Sequence, residues 1–216
     1  MSRNWGRFAP LTGVVFVILV LISAFLPGDA PDSNATGAAV IAYAKSNQSR
    51  IDITAVVIAV SLLFGLLFYG ELRRVLRQDP DNESLATVSF GGAVLFAAAG
   101  GLSGGLSLAL ADVPSKLDPA AAQTLNILLR DVPMVMFSGI GILMVAAGLA
   151  IVRSRVLAVW LGWAGIVLGL IAVLPLGFIA LILGAVWTLV TSIVLTMRVE
   201  LVATEETGSS ATLKMT

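Results

Sequence analysis

The chain has 216 residues, 58% of them hydrophobic and only 12% charged, with zero formal net charge and neither cysteine nor histidine. Soluble domains carry about 25% charged residues, so the polar surface is too small to cover a water-soluble globule, and the expected solvent is lipid. The charge balance excludes a global field toward nucleic acid, and the missing residue types exclude disulfides, thiolate nucleophiles, thiolate metal sites and a histidine base.

A bilayer core takes about 20 apolar residues in helix. On that measure the sequence predicts an all-α membrane bundle with six transmembrane helices at about 9–26, 53–70, 85–110, 132–152, 156–174 and 178–197. Arg3 and Arg7 precede the first stretch, but no small-residue cleavage site follows it. It is therefore expected to stay as a helix rather than be removed as a secretory signal. The last apolar stretch, 156–197, carries no charge. As one helix it would run roughly 60 Å at 1.5 Å per residue, about twice the hydrocarbon thickness. It must fold back, and Leu174-Pro175-Leu176-Gly177 is the break near its middle. Residues 200–216 are polar and are expected to form a disordered tail.

Orientation follows from Lys and Arg. With the N-terminus in the cytoplasm, the inner segments hold Arg3, Arg7, Arg73, Arg74, Arg77, Arg153, Arg155, Arg198 and Lys214, whereas the outer loops hold only Lys45, Arg50, Lys116 and Arg130. Both termini are thus expected inside a bacterial cytoplasmic membrane. The two outer loops carry predicted short helices, about 36–46 after a cap at Asp32-Ser33-Asn34, and about 119–130 after Asp118-Pro119. Pro133 is expected to kink or reset the chain before the fourth span. Each outer helix leads to an Arg-Asp pair, Arg50-Ile51-Asp52 and Arg130-Asp131. Either the hairpins repeat about an axis along the membrane normal, or capped interface helices merely share a composition.

Small residues four apart let helices approach in lipid. Gly100/Gly104, Gly101/Gly105 and Gly165/Gly169 have that spacing, which predicts packing inside the bundle or a homodimer face. Trp5, Trp160 and Trp163 fall near the predicted inner interface, where tryptophan anchors. Trp187 falls mid-span, so its indole N–H needs a buried partner.

No Asp, Glu, Lys or Arg falls inside a predicted span. Proton relays and ion-coupled transporters need such residues. The remaining chemistry is at the outer rim, where Arg50, Asp52, Asp112, Lys116, Arg130 and Asp131 lie within a few residues of span ends. These are either solvated, loosely paired charges or a polar mouth over an apolar cavity. In the second reading Arg50 and Arg130 hold an anionic head group, Asp52 and Asp131 orient them, and the short helices act as lids. A catalytic carboxylate pair is disfavoured, because no nucleophile or metal motif accompanies it. No cofactor, metal or enzymatic activity is expected. On the inner side, Glu71-Leu72-Arg73-Arg74-Val75-Leu76-Arg77 is basic and amphipathic. It reads as an anchor on anionic lipid, or as a docking surface for a partner.

Several stretches resemble a widespread bacterial, actinobacterial-type integral-membrane family of unknown function. They are Leu11-Thr12-Gly13-Val14-Val15-Phe16, the outer segment ending in Arg50, and Glu71 to Arg77. The most telling are Val156-Leu157-Ala158-Val159-Trp160-Leu161-Gly162-Trp163 and Trp187-Thr188-Leu189-Val190-Thr191-Ser192. Ala158-Val159 stands where the family usually has Pro followed by Arg or Lys. The resemblance implies six helices in the inner membrane and brings no activity.

Two functional expectations follow. One is a non-enzymatic module that binds a lipid or apolar molecule from the outer side or supports a membrane complex. The other is a small permease for an apolar or amphiphilic compound, which requires a continuous path between spans.

Overall fold

The computed structural model describes residues 8–112, 114–174 and 177–213. These are mostly helical, joined by short turns and by one longer non-helical segment at 26–36. The helices are α1 Thr12–Phe25, α2 Gly37–Leu76, α3 Glu83–Asp112, α4 Pro119–Ser154, α5 Val159–Ala172 and α6 Gly177–Leu213. Each packs on its neighbours in the chain, and α6 returns to α1. Arg3, Trp5, Arg7, Lys214 and the Pro175-Leu176 turn lie outside the described residues.

Local chemistry sets the helix starts. Thr36 caps α2 by accepting from the Ala39 N–H at 3.3 Å. Asp118 caps α4 by accepting from Ala120 at 2.8 Å, and Pro119 takes the first helical position. Asp79 caps the turn Pro80–Asn82 that leads into α3. Asn82 is fully buried there and donates to the Ala150 carbonyl at 3.1 Å, tying the turn to α4. Arg155 ends α4 in the left-handed region, φ 53°.

Three sequence expectations change. The outer helix 119–130 is not separate but is the first part of the 36-residue α4, whereas the predicted helix 36–46 stands as the first arm of α2, set off from the rest by a kink at Asn47. The α2 start is capped by Thr36, just past the predicted cap at Asp32-Ser33-Asn34. The α2 backbone leaves helical geometry only at Asn47, and α4 runs on through Pro133. A helix already propagating adds residues cheaply, and one lost hydrogen bond at proline bends a helix without having to end it. Third, α6 continues to Leu213, where a disordered tail is predicted from 200. No proline interrupts this segment, and Gly208 is its one glycine.

Among the described residues, four helices are long and apolar enough to cross a membrane, in Gly37–Leu76, Pro80–Asp112, Pro119–Ser154 and Leu181–Arg198. The predicted first and fifth spans are shorter apolar helices, Ala9–Phe25 and Val159–Ala172. At 1.5 Å per residue α5 is about 21 Å long. Large apolar side chains such as Phe25, Val56, Met134 and Leu170 are exposed along the helices, as a helical membrane bundle requires.

The core has two parts. The main one joins Phe16, Phe68, Tyr69, Phe96, Met144, Ile151, Leu161 and Trp187. Its aromatic rings meet edge to face, Phe16 with Tyr69 at 6.0 Å and with Phe96 at 6.2 Å. The Trp187 indole N–H finds its partner in the Leu161 carbonyl at 2.8 Å. Beside it, Tyr69 and Thr188 hydroxyls are 2.9 Å apart, and Ser192 donates to the Pro10 carbonyl. The second core lies in the helix extensions, from Val40, Ala44, Ile51, Leu110, Ala111 and Ala122.

Glycine packing falls only in part at the predicted positions. A Cβ on Gly92 would overlap the Leu143 backbone, and one on Gly139 would sit 2.7 Å from the Phe96 nitrogen. These glycines close α3 onto α4. Gly148 and Gly162 do the same for α4 and α5, as does Gly169, where a Cβ would lie 2.9 Å from the Gly141 carbonyl. Gly165 makes room against Met144 and the Trp187 ring. In the predicted row, only Gly100 meets a neighbour, the Leu62 side chain at 3.2 Å. Around Gly101, Gly104 and Gly105 nothing lies within 4 Å of an added Cβ. Spacing alone does not say which face of α3 meets α4, and the Gly92–Phe96 face takes that place.

Candidate binding cavity under the 27–32 strap

At the end of the bundle formed by the two extensions, a cavity of about 250 Å³ opens between α2, α3 and α4. Its walls are mainly apolar, with Val40, Ala44, Ile51, Ile58, Leu110 and Leu129 among them. The extensions are held together where they begin. Gly37 sits directly against the Pro119 carbonyl, and any side chain there would overlap it.

The segment between α1 and α2 crosses the cavity mouth as a strap. Gly28 turns it, with φ 67°, a region open to glycine. Three side chains hold its carbonyl oxygens. Tyr43 donates to Pro27 at 2.7 Å, Asn126 donates to Asp32 at 2.8 Å, and Arg130 donates to Ala30 at 3.0 Å and to Pro31. A strap of this kind has no helix or sheet partner for its backbone, so side chains must satisfy it. Tyr43, Asn126 and Arg130 also line the cavity, together with Thr54 and Ser107. The Tyr43 phenol is held above its ordinary pKa, chiefly because burial disfavours the phenolate. Arg130 and then Arg50 pull it down, and Asp29 adds a smaller push upward.

Among the six predicted rim residues, Arg130 is the one in the cavity wall. Arg50 is exposed beside Gly28, with Nη1 3.6 Å from where a Cβ on that glycine would be. Asp112, Lys116 and Asp131 are exposed, and Asp52 is half-buried. Among the described residues the ion pairs are Glu71–Arg74, Arg77–Glu83 and Arg153–Asp81, all at the opposite end. Asp52 and Asp131 therefore do not orient Arg50 and Arg130 as a salt-bridged ring. The guanidinium of Arg130 is held by backbone carbonyls instead. The Ser107 hydroxyl donates to the Ser103 carbonyl at 2.9 Å, and no carboxylate shares the cavity wall with it. Among the described residues no three acidic side chains gather as a metal site would need.

Sequence reading singled out neither Asn126 nor Tyr43. A signal was available. Ala122, Asn126, Leu129, Arg130 and Pro133 recur at three- and four-residue steps, which places them on one helical face. The strap could not be read, because its partners are 16 to 100 residues away.

Comparison with protein-family models, curated proteins and solved structures gave no match to this chain.

Proposed function

We propose that this chain is a six-span bacterial inner-membrane protein with both termini in the cytoplasm, and that it binds an apolar chain or small lipid from the outer side. The observation that carries the binding reading is the apolar cavity with one cation, Arg130, and one phenol, Tyr43, at a strapped mouth. Ligand sites combine apolar walls with a few placed polar groups in this way. An apolar cavity of about 150 Å³ already accepts benzene. The larger cavity here suits an acyl-chain end, whereas a drug-sized ligand takes about 300 Å³ or more. When the strap lifts, Arg130 exchanges two carbonyl acceptors for the carboxylate or phosphate of an amphiphile, a stronger charge-assisted bond.

Binding fits better than passage. The cavity wall reaches inward to Ile58 and Gly104. Farther along, Leu62 packs on Gly100 and the Phe16, Phe68, Tyr69 and Phe96 rings fill the bundle. A permease would need an opening through that aromatic level.

Native mass spectrometry from mild detergent tests the reading. The wild-type chain should retain a small lipid or fatty acid. Ser107→Phe, which fills the cavity, should lose it, and Arg130→Ala should weaken retention by about tenfold or more, as expected for a lost charged hydrogen bond. A bare wild-type protein, or equal retention in all three, would count against it.

A further inference from the structure

The opposite end of the bundle carries a second concavity. Gly70, Arg73, Arg74 and Arg77 line an open cleft of about 330 Å³ at the C-terminal end of α2. The three arginines are not equivalent. Glu71, itself buried, takes Arg74 in a two-pronged pair, and Arg77 pairs with Glu83. Arg73 has no carboxylate partner among the described residues. Its guanidinium lies 5.6 Å from the Phe90 ring centroid and reaches the Thr87 hydroxyl only at 3.4 Å. Its Nε is buried without a hydrogen-bond partner.

This is a cation set in place but left with unused donors. A buried donor without an acceptor costs about 1–3 kcal/mol, and an anion met by the guanidinium as it turns toward the cleft removes that cost. The planar fork of arginine matches two oxygens of a phosphate group. Gly70 leaves a notch beside it, with Phe90 as the far wall, 3.8 Å from where a side chain would begin. Farther back on the same helix, Ile53, Val56, Val60 and Leu63 are exposed at three- and four-residue steps. That row ends two turns before Gly70, on the same face. Apolar chains can lie along it while a phosphate sits in the notch.

We propose that the Arg73 cleft binds the phosphate of an anionic phospholipid in the leaflet at that end of the bundle. The proposal rests on the membrane reading of the chain, but is independent of the cavity under the strap. The group recognised is a phosphate, and a free phosphate ion is the other possible source.

The test uses the full chain in mixed detergent with either phosphatidylglycerol or phosphatidylcholine, read by native mass spectrometry. Phosphatidylglycerol should be retained preferentially. Arg73→Gln should reduce that retention by about tenfold or more, and Arg73→Lys should restore part of it. Arg153→Gln, at the same end with only a long 3.6 Å ion pair to Asp81, should change nothing. Gly70→Leu fills the notch with every arginine in place and should act like Arg73→Gln. Equal losses in the Arg73 and Arg153 variants would mean a diffuse field and overturn the site. Displacement by millimolar inorganic phosphate, with no preference for phosphatidylglycerol, would assign the cleft to a soluble anion and overturn the lipid. Loss of the cavity ligand in Arg130→Ala leaves this readout untouched, so the two proposals fail separately.

Discussion

Arg130 and Tyr43 are the residues on which the outer cavity turns, and both hold backbone before they hold any ligand. Replacing Arg130 by Ala leaves the Ala30 and Pro31 carbonyls with water alone. Amide exchange in residues 28–34 should then rise while the α4 core stays protected, because local opening follows local contacts. Unchanged exchange would mean that Tyr43 and Asn126 suffice as latches. The phenol gives a pH prediction with a definite sign. Its folded pKa lies above the ordinary 10.0, chiefly through burial. The neutral form is the one the fold favours. Its contribution is complete below pH 10 and is lost as pH rises through the folded value. The chain has two tyrosines, so in Tyr69→Phe the phenolate absorbance reports Tyr43 alone. It should titrate above pH 10, and a midpoint at or below that would mean that the strap does not shield the ring.

At the scale of helices, close approach depends on which glycines face a neighbour. Gly139→Ala drives a Cβ into the Phe96 backbone, and overpacking of this kind costs about 1–3 kcal/mol. Gly101→Ala meets nothing within 4 Å and gains helix propensity. Thermal unfolding in detergent should therefore fall clearly for the first and stay level or rise for the second. A fall in Gly101→Ala, with loss of a dimer on size exclusion, would return that face to the homodimer reading. The four-residue glycine spacings were legible in the sequence. The partner of each was not, since spacing gives a face and only the neighbouring helix gives a contact. The length of α4 was misread for a related reason. A local pattern marks where polar residues begin at a span end, but helix propagation carries α4 past that point, back to its cap at Asp118, whereas α2 breaks at Asn47.

For the whole molecule, the six-crossing reading makes a direct prediction. A tag after Thr216 should be unreachable from the outer face of intact cells and labelled once the membrane is opened. A tag reachable from outside would reverse the sides of the cavity and the arginine cleft together. The short α5 sharpens the test. About 21 Å of helix spans only with help from a thinned bilayer or from exposed flanks such as Trp160 and Trp163. A cysteine placed in the turn between α5 and α6 should be reached by membrane-impermeant reagent from the outer side if α5 crosses.

The sequence by itself determined the helical class, the helix cap at Asp118, the apolar stretches, and the need for a buried partner at Trp187. Each of these follows from composition or from residues within a few positions. It also marked Arg130 as chemistry at a rim. Only the tertiary structure decided that Arg130 holds the strap, that Asp52 and Asp131 leave the arginines unpaired, and that Arg73 alone lacks a carboxylate in its cleft. Those are relations between elements far apart in the chain. They depend on how helix faces rotate against one another, which residue order does not state.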